Sequence, residues 1–388
     1  MIDALFTWLL LPLGMALGWA LARGQPEHKS EGISPEKFGG LVTHLVSDNP
    51  DETLAALTEA AEIDHSTAEL HLTLGNLFRK RGEVDRALHI HEDLLARPGL
   101  SQDLRNRTRF ELAQDYHKAG LMDRAEELCL ALAGEGQYTA LALEQLRTIY
   151  EQGRDWNQAI AIARRIESAK GESKRAVIAQ YFCELAEEAR ARKEMDEALR
   201  LAEQAASEDK GCLRAELLLG ALHEAAGNDA AAIKRYRLAF EHDPRFLAEV
   251  LEPLRRCSER SGDVDGYLLF LQDAKEMSPS SLPILAEAHL MRQEGLDVSD
   301  HLAQGLEMRP SRAVLAEFLE VLEKQPNVVA SGLDKPAASL RSALRKLMDT
   351  TPRYRCNHCG FSPRQLFWQC PSCKQWATIT PIDEVLKS

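Results

Sequence analysis

Four cysteines close to the C-terminal end, Cys356, Cys359, Cys370 and Cys373, are the residues of this 388-residue chain whose type and spacing could do chemistry. They form two Cys-x-x-Cys pairs separated by ten residues. Two residues between thiolates let both sulfurs reach one ion from a tight turn, and two such turns make a closed tetrahedral four-sulfur site. Gly360, directly after the first pair, supplies the left-handed or close-approach position that such a knuckle needs. The competing reading is a pair of disulfides. It is disfavoured because the other cysteines, Cys129, Cys183, Cys212 and Cys257, are scattered singly through helical pattern, as expected of buried small residues in a reducing compartment. Thiolate ligands in tetrahedral geometry admit one iron or zinc ion without choosing between them. With no open coordination position, the site is structural or redox rather than hydrolytic. Elsewhere His223-Glu224 lacks the second histidine of a zincin motif, and no GxSxG, GxGxxG or P-loop occurs, so an enzyme is not expected. His89 and His91 read as positions on an ordinary helix surface.

The cysteines sit in a module expected over residues 340–388: a short amphipathic helix from Leu340 to Met348, then the two knuckles. The two-knuckle wording resembles rubredoxin-like ribbons, and also the ribbon at the start of a bacterial DNA-repair ATPase family, a likeness that stops there for want of a P-loop. This module carries Arg341, Arg345, Lys346, Arg353, Arg355, Arg364 and Lys374 on a chain of net charge −13. That basic character either offsets the thiolates or suits docking on the acidic remainder, an acidic partner or lipid headgroups. Phe361, Phe367, Trp368 and Trp376 are expected to form the module's small core rather than to stack on nucleobases. The acidic body makes nucleic acid an improbable partner. Residues 325–339, rich in Pro, Gly and Ser, read as a linker.

A 45% hydrophobic, 6% aromatic composition describes an Ala- and Leu-rich helical chain. Between 36 and 324 a repeat is legible. Leu74, Gly75, Phe78 and Ala87 recur as Leu112, Ala113, Tyr116 and Ala125, as Leu146, Tyr150 and Ala159, as Leu185, Ala186 and Ala198, and as Leu219, Gly220, His223 and Ala232. The small anchors Ala87, Ala125, Ala159, Ala198, Ala232 and a weaker Gly266 lie 38, 34, 39, 34 and 34 residues apart. This resembles the tetratricopeptide repeat family, and the expected fold is an all-α solenoid of eight or nine helix-turn-helix units. An irregular first unit is expected over 38–63 and degenerate ones over 282–323. Stacked helix pairs bind segments of other proteins, so a partner is implied rather than a reaction. Polar positions on first helices, Asn76, Arg79, Asp115, Arg147 and His223, are candidates for the partner surface.

From Ala4 to Ala22 run 19 uncharged residues, enough to span roughly 30 Å of hydrocarbon. A cleaved signal peptide is disfavoured by the acidic start, Met1-Ile2-Asp3. Residues 1–23 are therefore expected to be a single transmembrane anchor and 24–35 a tether. Arg23, Lys29 and Lys37 follow the span, placing the N-terminus in the periplasm and the body in the cytoplasm.

The order anchor, repeats, ribbon is similar over the whole chain to the lipopolysaccharide assembly protein B family of Gram-negative bacteria. That resemblance implies an inner-membrane regulator that presents the lipid A pathway deacetylase to the membrane protease FtsH and contacts other inner-membrane lipopolysaccharide assembly proteins. It implies Cys356, Cys359, Cys370 and Cys373 as metal ligands and leaves a homodimer open. A general membrane-tethered scaffold and a nucleic-acid-binding ribbon are the rival readings.

Overall fold

The computed structural model describes residues 68–134 and 136–382. The expected anchor, tether and irregular first unit lie outside the described residues, and among those described no helix is long and apolar enough to cross a membrane. The chain divides into two compact units, Met1–Ala142 and Leu143–Ser388.

Helices follow one another as hairpin pairs. In the first unit these are α1 (Ala68–Arg81) with α2 (Val84–Ala96), and α3 (Gln102–Lys118) with α4 (Met122–Leu132). Helix α5 (Thr139–Gly153) begins in the first unit and pairs in sequence with α6 (Trp156–Lys170). There follow α7 (Arg175–Ala191) with α8 (Met195–Glu208), α9 (Leu213–Ala225) with α10 (Asp229–His242), α11 (Leu247–Ser261) with α12 (Val264–Met277), and α13 (Leu282–Gln293) with α14 (Ser299–Met308). The array ends in α15 (Arg312–Leu322), α16 (Pro326–Ala330) and α17 (Asp334–Thr350).

The repeat's small anchors do what their size allows. Ala87, Ala125, Ala159, Ala198 and Ala232 have no exposed surface, and the large partners Phe78, Leu112, Leu146 and Leu219 are buried beside them. At Gly220 a Cβ would lie 2.6 Å from Cε1 of buried Tyr236, so this crossing closes only over a hydrogen. The helix pairs turn through left-handed residues: Gly82 (φ 87°) ends α1, its N–H reaching Arg79 O while Glu83 N–H reaches Phe78 O. In the turn after α5, Gly153 is still the last helical residue and Arg154 takes the positive φ of 57°.

Register between successive pairs is pinned by charges about one repeat apart. Arg214 meets Glu184 at 2.8 Å, Arg256 meets Glu224 at 3.0 Å, and the Trp156 indole donates to Glu188 at 3.0 Å. Most of these pairs are partly buried, where screening is weaker than at the surface.

The expected linker over 325–339 is instead helical. Pro326 stands in the first turn of α16, where its missing N–H costs nothing, and Gly332 (φ 72°) closes that helix with Leu333 N–H on Val328 O. Helix α17 then starts at Asp334 rather than Leu340, and Pro336 is tolerated because it too sits in a first turn. The punctuation residues of the sequence are helix ends here, not a linker.

Gly220→Ala is expected to lower stability by about 1–3 kcal/mol through overpacking on Tyr236, despite alanine's better helix propensity. Thermal unfolding checks it; an unchanged or raised midpoint would mean that the ring moves aside freely.

Candidate metal centre and its seat

The ribbon is built from two short strands and two turns. Strands β1 (Tyr354–Cys356) and β2 (Ile379–Pro381) pair antiparallel with Cys356 opposite Ile379, and an isolated bridge joins Gln369 to Trp376. Each Cys-x-x-Cys turn closes on its own backbone: Gly360 N–H donates to Cys356 O at 3.0 Å, and Lys374 N–H to Cys370 O at 2.8 Å. Gly360 adopts φ 78°, as the sequence suggests. The second turn places Lys374 at φ 59° in the equivalent position, a strained choice that spacing alone does not reveal.

All four sulfurs lie within 4.8 Å of one another. Cys356 Sγ is 3.8 Å from Cys373 Sγ, and Cys359 Sγ is 3.7 Å from Cys370 Sγ. Zinc–sulfur bonds of about 2.3 Å in a tetrahedron set sulfur–sulfur edges of roughly 3.8 Å. The donor set thus fits one tetrahedral thiophilic ion, with Cys356 and Cys370 buried, Cys373 half-buried and Cys359 at the surface. Burial works against the Cys356 thiolate, but the Thr378 hydroxyl and the N–H groups of Cys359 and His358 outweigh it and draw the thiol down to about 6. At Cys373 the Gln375 N–H favours the thiolate, yet desolvation and the three other sulfurs push it up to about 12. Four sulfurs this close cannot all carry charge without a cation among them.

The ribbon's own core is small: Tyr354, Cys356, Cys370 and Ile379, with Leu366 and Phe367 against them. The two tryptophans expected in that core point elsewhere, onto the repeat array. Trp368 stacks on Phe246 (centroids 6.1 Å apart, planes at 13°), lies under the Arg214 guanidinium at 5.8 Å, and with Leu366 packs on the cluster of Leu213, Tyr236 and Leu247. Trp376 meets Trp156 and Tyr181 edge-on, at 6.0 Å and 5.8 Å between centroids. The indole N–H of Trp376 donates to Glu151 at 3.3 Å, and Gln369 donates to the other oxygen of the same carboxylate at 3.4 Å. Tyr354 donates its hydroxyl to Glu249. Helices α5, α7, α9 and α11 each contribute to this seat through Glu151, Tyr181, Arg214 and Glu249.

Glu151 is the seat's central acceptor. It also receives Arg147, at 2.5 Å, and the Tyr181 hydroxyl. Burial and then the Glu151 charge raise the Tyr181 phenol far above its ordinary range, so it stays a donor. Burial and the Glu249 hydrogen bond do the same for Tyr354.

The residues chosen from the sequence as an exposed partner surface are mostly engaged within the chain. Asp115 has no exposed surface; it accepts from Arg79 at 2.8 Å and meets His91. Arg79 also binds Asn76 and Glu111, so three of the five candidates share one internal network. His91, expected on a helix surface, is fully buried there, while His89 is exposed. Arg147 holds Glu151 in place for the ribbon, and His223 is half-buried. A polar type on a first helix does not distinguish solvent from the adjacent repeat. The seat residues Glu151, Tyr181, Phe246 and Glu249 carried no recognisable signal, because their partner is more than a hundred residues away.

Residues 354–381 match the rubredoxin metal binding domain family. Over nearly its whole length the chain is 33% identical to lipopolysaccharide assembly protein B of Escherichia coli K12, covering 98% of each chain. It is 32% identical to the protein of that name from Haemophilus influenzae, again over 98% of each. The chain belongs to the lipopolysaccharide assembly protein B family. Among solved structures, it aligns with YrrB, described as a TPR protein with an unusual peptide-binding site, at 18% identity and a TM-score of 0.33, covering 50% of this chain and 95% of that one. So distant a likeness carries no functional weight.

Trp376→Ala is expected to leave the metal bound while costing about 3–5 kcal/mol of packing at the seat. Metal content together with protease sensitivity between Thr350 and Tyr354 checks both halves. Lys374→Gly should relieve about 1 kcal/mol of left-handed strain and slow metal loss to a chelator roughly fivefold; unchanged loss would show that the turn is not strained.

Proposed function

We propose that this protein is a membrane-anchored cytoplasmic adaptor of lipopolysaccharide assembly. In this reading it promotes degradation of the lipid A pathway deacetylase by FtsH and connects other inner-membrane components of the pathway. The observation that carries it is the head-to-tail likeness, covering 98% of each chain, to relatives named lipopolysaccharide assembly protein B. The parts are consistent with it. A four-cysteine ribbon without an open ligand position, seated on a helical repeat array, holds and positions other chains rather than transforming a substrate. Residues 1–23 would be the anchor, Cys356, Cys359, Cys370 and Cys373 would hold one iron or zinc ion, and the repeats would bind the deacetylase.

Confinement beside a membrane protease would act through effective concentration, which for tethered sites reaches the millimolar range. A nucleic-acid role for the ribbon is less well supported, since Trp368 and Trp376, its best stacking surfaces, lie against Phe246, Trp156 and Tyr181.

Depletion of the protein should lengthen the half-life of the deacetylase several-fold after translation is blocked, and a chain lacking Met1 to Arg23 should fail to restore it. An unchanged half-life on depletion would leave a general scaffold as the better reading.

A further inference from the structure

The last helix of a repeat array ordinarily turns a polar face to solvent, because no further unit covers it. Helix α17 does not. Leu333, which caps it, and Leu340 and Leu347 within it are 58%, 51% and 56% exposed, and their seven-residue spacing stacks them in one line along the helix. Val329, 52% exposed, precedes them. The packed side of α17 is a different one: Arg341 reaches Glu320 and Glu323 of the α15 end, and Arg345 reaches Glu320.

Roughly 120° round the helix from the leucine line, at 3.6 residues per turn, stand Lys335 and Lys346, eleven residues or three turns apart. Both are exposed and neither has an ion-pair partner among the described residues. Helix α17 carries four basic residues against two acidic ones, and from Thr350 to Ile382 the chain has no Asp or Glu at all. On a chain of net charge −13 this is a local concentration of positive charge, with Arg353, Arg355 and Arg364 exposed just beyond the helix.

We propose that α17 lies on an anionic lipid surface, its leucine line in the headgroup–acyl boundary and its lysines on phosphate. An aliphatic line with unpaired lysines on the solvent side of the same helix is the layout of interfacial helices, whose long basic side chains reach back to the headgroups. Protein interfaces are instead depleted in lysine, and their energy concentrates in Trp, Tyr and Arg, none of which stands on the leucine line. The membrane-anchored reading above brings the helix near a bilayer, and the proposal rests on it only in that respect.

The test uses the full chain reconstituted in phosphatidylglycerol/phosphatidylcholine vesicles, with photoreactive benzoylphenylalanine replacing Leu340 or Leu347. Ser342 on the opposite side of α17 and Leu13 in the expected anchor serve as comparison positions. Irradiation should attach lipid at 340 and 347, at least fivefold more than at 342. The yield should fall at least fivefold in vesicles of phosphatidylcholine alone or in the Lys335→Glu/Lys346→Glu variant. Absence of lipid adducts at 340 and 347, or cross-linking there to a second copy or another protein instead, would overturn the proposal. Labelling at 13 then tells the two readings apart: lipid adducts at 13 alone leave the anchor standing, and none at either place removes both.

Discussion

Four sulfurs held within 4.8 Å of one another repel once ionised, and the rest of the C-terminal module follows from how that repulsion is met. One metal ion at the centre would convert the cluster from a liability into the module's main source of order, on the order of 10 kcal/mol for sites of this kind. The apolar core around it is only Tyr354, Cys356, Cys370 and Ile379 with a few flanking side chains, too little to hold a domain of this size. With the turns so fixed, Trp368, Gln369 and Trp376 would leave the ribbon at set directions. Those directions are what the repeat array reads.

The array meets them on its first helices. Glu151 receives donors from both sides, Arg147 and Tyr181 from the repeats and Gln369 and Trp376 from the ribbon. A carboxylate held by two donors from each side is fixed in place. The same first-helix surfaces are those a repeat array ordinarily offers to other proteins. Over α5 to α11 part of that surface is already occupied by the chain's own ribbon, so an external partner would have to read what the ribbon leaves or what the two present together.

The parts most legible in the sequence were those with local or periodic causes. The 34-residue rhythm of small anchors is required at every helix crossing, so Ala125, Ala159 and Ala232 announce the solenoid by their spacing alone. Cys-x-x-Cys announces its turn for the same reason. What escaped was decided at long range. Asp115 and His91 look like surface residues in sequence but are buried against Arg79 and each other. Arg147 looks like a partner contact and serves an internal one. Trp368 and Trp376 look like core because nothing within the ribbon says that a second surface waits more than a hundred residues upstream. The Pro- and Gly-bearing stretch after Lys324 was misleading in a different way, since a proline in a first turn and a glycine past a last one punctuate helices as readily as loops.

The central claim is that the ion held by the four cysteines orders the ribbon and that the ordered ribbon covers the repeat seat. Hydrogen–deuterium exchange of the full chain before and after metal removal tests it most directly. Residues around Glu151, Trp156 and Tyr181 should exchange faster once the metal is gone, while α1 to α4 stay unchanged and helical content holds. Unchanged exchange at the seat with the metal gone would contradict it.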